Sequence, residues 1–321
     1  MPILTRRLTL AAGAWLATPA LAQAWPARPV RIVVPFPPGG LVDMLARALA
    51  PRLSERFGQP FVVENRAGAG GNIGADAVAK SAPDGHTLLA SSLGPVAVNQ
   101  YIYRAMPFDT QTAFAPIVLL ISTPKVLCVG PARPWRDVTA VVAAAKAAPG
   151  TLTGGSAGPG TSLHLALELF KQTTGTDIQH IPYRGAAQAI TDLVGGQIDL
   201  IIDNLPNILG QITGRQVRAL AAATPQRLPQ LPQVPTMAEA GIDFVFGTAF
   251  GLVAPAGTDA AIVQRLSAAV TEALRDPAIG GRLAQQGAIL GGGTPADFAA
   301  LIAREKATLE PVIRAAGIRA E

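Results

Sequence analysis

The 321-residue chain holds one cysteine, Cys128, and three histidines. One thiol cannot close an intramolecular disulfide, and neither a Cys-x-x-Cys pair nor a Cys/His zinc spacing occurs. Cys128 lies in the apolar run Val126 to Val129, where a free thiol reads as a buried core group. Charge is scarce as well. Only 15% of residues are acidic or basic, and 26 Lys and Arg against 21 Asp and Glu leave a formal +5. Lys and Arg never cluster with interleaved aromatics, so nucleic acid is not an expected partner. No GxxxxGK[ST] frame exists for a nucleotide phosphate, and Gly68-Ala69-Gly70 is followed by Ile73 where a dinucleotide fingerprint needs glycine. Neither a cofactor nor a metal is expected. Beyond the first two dozen residues no apolar run approaches the roughly 20 residues of a membrane span.

What the chain does have is apolar bulk, with 49% hydrophobic residues, and frequent punctuation by 33 Gly and 28 Pro. That length and content suit two packed domains with many short loops. Arg6 and Arg7, the mostly apolar stretch Leu8 to Leu21, and the patterns Ala20-Leu21-Ala22 and Ala22-Gln23-Ala24 are laid out as a bacterial signal peptide. Thr5-Arg6-Arg7-Leu8 also fits twin-arginine export, and the lack of a cysteine at the cleavage site argues against a lipid anchor. Residues 1–24 are therefore expected to be removed, which lowers the formal charge from +5 to +3.

The remaining sequence repeats one pattern: a short β-branched run, a glycine loop, then apolar residues at helical spacing. Strands are expected at Val30 to Phe36, Phe61 to Glu64, His86 to Ser91 and Phe114 to Ile121, with helices from Leu41 and over Ile73 to Lys80. A second series starts after Pro124. Its strands are Val126 to Val129, Leu152 to Gly154, Ile178 to Pro182, Ile198 to Ile202 and Val217 to Ala222. Its helices are Val138 to Ala147, Leu163 to Thr173 and Ala186 to Val194. Phe244 to Pro255 leads back, and helices at Ala260 to Arg275 and Pro295 to Ala315 close the chain. The fold class is α/β with a largely parallel sheet. Both chain ends form one domain, 25–122 with 243–321, and 123–242 is inserted as a second. The crossings near 117–124 and 242–250 form a hinge.

Ligands of open α/β sheets bind where strand ends feed loops and helix N-termini. The loops Pro37 to Gly40, Gly68 to Gly71 and Gly154 to Gly160 bring backbone N–H groups close to a ligand beside a partial positive charge, which suits an anion. One carboxylate is expected between Phe36–Gly40 and Gly158–Ser162, held by N–H groups and the hydroxyls of Thr161 and Ser162. Gly154-Gly155-Ser156-Ala157-Gly158 also matches the GxSxG frame of a serine hydrolase, with Ser156 as nucleophile. His164 and His180 follow too closely for the usual acid-then-histidine order, and Pro159 and Gly160 delay the helix. Single residues keep two readings each. His164 caps a helix or touches ligand, and Arg184 is a solvated loop residue or an anion contact. Asp203 and Asn204 stand on the strand-end rim, and Asp43 reads as a helix-dipole partner.

Nine segments in order resemble the substrate receptors of tripartite tricarboxylate transporters, the Bug-type receptors. They are Trp25-Pro26 through Val30, VPFPPGG at Val34 to Gly40, VVENRAGAGGNIG at Val62 to Gly74, PDGHTLL at Pro83 to Leu89 and GPGTSLHL at Gly158 to Leu165. IPYRG at Ile181 to Gly185, GGQIDL at Gly195 to Leu200, LPQVPTMAEAG at Leu231 to Gly241 and GLVAPAGT at Gly251 to Thr258 complete the series. The resemblance spans the chain after its leader. It implies a two-lobed, type II-like periplasmic binding fold that closes on a small carboxylate and delivers it, as a monomer, to membrane transporter subunits. Carried over, the site residues are Phe36, Pro38, Gly39, Gly40, Ser91, Ser92, Gly158, Gly160, Thr161, Ser162, His164 and Asp203. A receptor serving a sensory system is the alternative. The family often has Tyr where His86 stands and an aromatic near Ala249; the second departure bears on cleft size or the lid. Di- or tricarboxylate, aromatic acid and amino acid all remain open as the solute.

Overall fold

The computed structural model describes residues 25–319; the expected leader lies outside them. The first half begins with β1 (Val30–Val34), α1 (Leu41–Phe57), β2 (Phe61–Asn65), α2 (Asn72–Ala79) and β3 (Thr87–Ser92). A 16-residue strand, β4 (Phe114–Val129), crosses into the second half. There follow α3 (Val138–Ala147), β5 (Thr153–Ser156), α4 (Ser162–Thr174), β6 (Gln179–Pro182), α5 (Ala186–Val194), β7 (Leu200–Asn204), α6 (Leu205–Thr213) and β8 (Arg218–Ala222). The chain returns on β9 (Gly247–Pro255) and ends with α7 (Ala260–Leu274), α8 (Arg282–Gln285), β10 (Ile289–Gly292) and α9 (Pro295–Ala316). A reciprocal Thr294–Asp297 capping box starts α9. Among the described residues no helix is long and apolar enough to cross a membrane.

The strands form one sheet in the order β2-β1-β3-β9-β4-β7-β5-β6, with β8 and β10 also paired to β4. Parallel pairing is confined to the two ends, β2-β1-β3 and β7-β5-β6. The middle is antiparallel, because β9 retraces the path of β4. That corrects the largely parallel sheet expected from alternation alone. The two strands expected on either side of Pro124 are likewise one strand that changes neighbours. Residues through Pro124 pair with β9, whose Gly247 faces Pro124, and from Lys125 onward the partner is β7. Proline has no N–H to give a ladder, and it occupies the change-over.

Side-chain alternation on β1 feeds two cores. Ile32 and Val34 join Leu45, Leu49, Leu266 and Val270, and Val33 joins a cluster that runs into the second half through Leu127, Phe170 and Leu200. A third cluster, with Val126, Cys128, Ile190 and Ile201, belongs to the second half. Each fully buried side chain of this kind contributes about 1.5–3 kcal/mol. Burial pushes the Cys128 thiol well above its ordinary pKa, with the charge of Asp203 adding to the shift, as expected of an inert core thiol.

Candidate functional site

A cavity with about 590 Å³ of empty space, its open mouth included, lies between the halves. One wall is Phe36, Pro37, Pro38, Gly40, Leu41 and Val42, with Ser92 at the end of β3 and Phe250 of β9. The other is Ala157, Thr161, Ser162, Leu163, Gly185, Ala186, Ala187, Asn204 and Asn207. None of these residues is charged. The residue before the first turn of each of four helices lines the cavity: Gly40 of α1, Thr161 of α4, Gly185 of α5 and Asn204 of α6. Only Thr161 caps its helix with a side chain; the other three leave their N–H groups uncapped. Uncapped N–H groups and the positive end of a helix dipole are chemically suited to an anion without supplying a formal charge.

Of the residues singled out from sequence, the structure brings Phe36, Pro38, Gly40, Ser92, Thr161, Ser162 and Asn204 together around this cavity. The others do not line it. The Gly39 N–H is spent on Asp43 Oδ2 at 3.0 Å. Asp43 is buried and also accepts from Arg47 and Asn65; burial raises its pKa, but these bonds and the Arg47 charge outweigh it and hold the group below its ordinary value. Ser91 points to the face of β3 opposite Ser92 and is buried. Gly158 and Gly160 lie behind the wall: the Gly158 carbonyl accepts from Thr161 Oγ1 at 2.7 Å, and the Gly160 N–H donates to His164 Nδ1 at 3.2 Å. His164 stacks on His180 with centroids 4.2 Å apart. Burial lowers both imidazoles to about 4, helped by the Lys171 charge and, at His180, by His164 as well. Asp203 has no exposed surface; its Oδ1 accepts from the Asn204 N–H at 2.6 Å and from Asn207 Nδ2 at 2.9 Å. Thr161 is committed too, since its hydroxyl donates to Gly158 and accepts the His164 N–H.

Arg184 is exposed on its loop and absent from the cavity wall. Ala249 lies in a separate groove beside Phe246 and Leu301 and is not part of the cavity wall. His86 packs near Trp25 at a centroid distance of 6.2 Å, also away from it. Ser156 does meet a histidine, Oγ to His180 Nε2 at 2.6 Å. Yet Ser156 has no exposed surface and its hydroxyl also accepts the Gly158 N–H, so it closes the loop and faces no substrate. Among the described residues no cluster of three potential metal ligands occurs.

Sequence reasoning placed Asn204 on the strand-end rim, where the structure also has it, but missed one of the four helix ends, at Gly185, and one charged residue. Lys125 has no exposed surface; its Nζ donates to Asn204 Oδ1 at 3.0 Å and to Ser162 Oγ at 3.3 Å. Burial lowers its pKa to about 7 against the opposing pull of Asp203. A lysine within the apolar run of β4 was the available signal, but beginning that strand at Val126 left it out.

A sheet shared by two lobes, with a cleft of helix N-termini at their junction, defines a solute receptor of the periplasmic-binding-protein class. Residues 45–318 match the model of the tripartite tricarboxylate transporter family receptor, TctC. Protein BugT of Bordetella pertussis is 41% identical over 310 residues, covering 96% of this chain and 95% of BugT. The chain therefore belongs to the tripartite tricarboxylate transporter receptor family. Among solved structures, Rpa4515 of R. palustris with adipate has a TM-score of 0.88 at 40% identity, covering 92% of this chain and 99% of that one. MatC of Rhodopseudomonas palustris with bound malate has a TM-score of 0.86 at 32% identity, covering 90% and 100%.

Proposed function

We propose that the protein is exported to the periplasm, closes its two lobes on a small dicarboxylate, and passes it unchanged to the membrane subunits of a tripartite transporter. The observation that carries this reading is the set of four helix N-termini, three of them uncapped, around a cavity without charged lining. One carboxylate takes the N–H groups and the free hydroxyl of Ser162. The ligand's carbon chain lies against Phe36, Pro37 and Pro38. Adipate and malate, bound by two relatives, are both of this kind. The lobes are 25–122 with 243–321, and 123–242, hinged where β4 changes partner and β9 returns. The receptor acts as a monomer and performs no chemistry; residues 1–24 are its export signal.

Isothermal titration and thermal shift of the mature protein against a dicarboxylate panel test the reading. A ligand at 100 times its dissociation constant adds about 2.7 kcal/mol of stability, and mass spectrometry recovers it unaltered. Turnover of any panel member, or no saturable binding, overturns the proposal.

A further inference from the structure

We infer that Lys125 is the positioning residue that sets the polarity of the cleft, fixing Ser162 and Asn204 so that both offer hydrogen-bond donors to a carboxylate. This deepens the receptor reading above and rests on it. Lys125 is the first residue of β4 to pair with β7, and the register sets it directly opposite Asn204. Directly opposed residues share a face, so the ammonium lies immediately behind the cleft wall. An ammonium has three N–H donors and no acceptor. It can therefore face only the oxygen of the Asn204 amide. Asn204 Oδ1 accepts from Lys125 at 3.0 Å and from Thr123 Oγ1 at 2.9 Å, which fills both its lone pairs and leaves the amide N–H groups for the cleft. Ser162 Oγ accepts from the same ammonium at 3.3 Å, so its one hydrogen turns away from Lys125. A neutral amine would have a lone pair and could accept that hydrogen, drawing it inward.

A buried lysine without a close counter-ion is costly to the fold, and such groups concentrate at functional sites. Asp203 does not neutralise it. It stands opposite Val126 on the other face of β7 and spends Oδ1 on Asn204 and Asn207. Among the described residues no ion pair of 4 Å or less joins the two. On the remaining side the Phe246 ring centroid is 5.9 Å from Nζ, a weak cation–π contact. His164, Glu168 and Lys171 of α4 form a separate cluster with one another. Glu305 of α9 is raised by burial and opposed by Arg304, and Cys128 responds to Asp203. Asp203 is thus the group whose charge acts on Lys125, its own carboxyl raised by burial against the pull of that lysine, and burial lowers the lysine to about 7. An anion arriving in front of Ser162 and Asn204 favours the protonated form, so binding should take up a proton.

The test is isothermal titration of the mature full chain with adipate and malate, whose carboxyls are ionised well below neutrality. At about pH 7, in buffers of different ionisation enthalpy, the wild type should take up about half a proton per ligand. Its affinity should fall about tenfold as the pH rises from about 6.5 to about 8.5. In Lys125→Met the uptake should vanish, the pH profile flatten, and the affinity at neutral pH fall about tenfold. The wild-type proton count needs no variant, so poor folding of Lys125→Met leaves the idea exposed to refutation. Binding without proton uptake, or uptake that persists in Lys125→Met, removes Lys125 from this role and leaves the receptor reading standing. No saturable binding of either probe by the wild type overturns both.

Discussion

The two walls of the cleft are built alike, as strand, loop and helix N-terminus, and differ in what stands behind them. Behind the Phe36–Gly40 loop, Asp43, Arg47 and Asn65 bond one another and the loop backbone, with the Arg47 side chain half exposed to water. That wall presents mostly carbon: Phe36, two prolines, Leu41, Val42 and Phe250. Behind the second wall lie a fully buried Lys125, a fully buried Asp203 and the stacked His164 and His180. It presents Ser162, Asn204 and Asn207. One wall supplies shape at little electrostatic cost. The other supplies directed donors and carries ionisable groups out of water to do so, a cost of several kcal/mol per ion when unpaired.

The largest test of this contrast is acid. His164 and His180 are lowered from an ordinary 6.5 to about 4, chiefly by burial. Between those values the unfolded chain binds protons that the folded chain refuses, so stability is full above about 6.5 and is lost as the pH falls toward 4. The loss is on the order of 3 kcal/mol for the buried His164 and less for the partly exposed His180, where water screens the shift. Asp43, held below its ordinary carboxylate value, gives up its share only at lower pH. Urea denaturation between about pH 7 and 4.5 reads the slope, and His164→Leu should reduce it. A flat profile would mean that the second wall is no more acid-sensitive than the first.

The next largest effect separates two adjacent hydroxyls. Ser162 has a free hydrogen turned from Lys125, and a bond from it to a charged ligand is worth about 1.5–3 kcal/mol. Ser162→Ala should weaken dicarboxylate binding by about tenfold or more. Thr161 is occupied as the cap of α4, so Thr161→Ala should cost about 1 kcal/mol of stability with little change in affinity. Titration calorimetry and denaturation of both variants make the comparison. The reverse ranking would move the anion one residue toward the loop.

How much of this was legible in the sequence also divides between the walls. The VPFPPGG loop announces itself, because a β-branched run ends in prolines and glycines just before helical spacing begins. The second wall is assembled from three separate strand-to-helix connections, β5–α4, β6–α5 and β7–α6, and only the Gly158–Ser162 segment carries a comparable local signal. Asn204 was legible as a strand-end residue, but Gly185 reaches the cavity through the order of β5, β6 and β7 in the sheet, which spacing along the chain does not encode. Gly160 and His164 were expected to face the ligand and instead bond each other; a glycine-rich loop reads the same whether its N–H groups face a ligand or its own helix. Lys125 escaped because Pro124 reads as a strand break, although it marks only a change of partner within one strand.

A smaller effect is expected where the walls meet. Tyr103, from the first half, donates its hydroxyl to the Pro159 carbonyl of the second at 2.7 Å, and burial raises its pKa to about 12, which keeps that proton in place. A Cβ on Gly70 would collide with the same carbonyl, so the halves touch closely here. Tyr103→Phe removes one partly buried bond worth about 1 kcal/mol. Affinity should fall about fivefold, mainly through a faster off-rate, as stopped-flow release would record. An unchanged off-rate would mean that this contact forms equally in the open receptor.

The smallest effect is expected at Arg184, and it bears directly on how an anion is held. Arg184 stands in the IPYRG loop, two residues from Ala186, where α5 begins, and it is the nearest arginine in sequence to the second wall. Its side chain is exposed, and its backbone N–H donates to Gln188 Oε1 at 3.3 Å. The wall beside it is formed by Gly185, Ala186 and Ala187, which offer N–H groups and no formal charge. If helix ends and neutral donors hold the carboxylate, Arg184→Ala should change affinity by no more than about twofold, since an exposed ion pair contributes only about 0–1 kcal/mol. Binding should also tolerate added salt, because short hydrogen bonds in a closed cleft are screened far less than surface charges. Titrations of wild type and Arg184→Ala at low and high ionic strength decide the matter. Loss of binding in the variant, with a steep salt dependence in the wild type, would make the site a guanidinium clamp and would transfer the main energetic role from the helix ends to one mobile side chain.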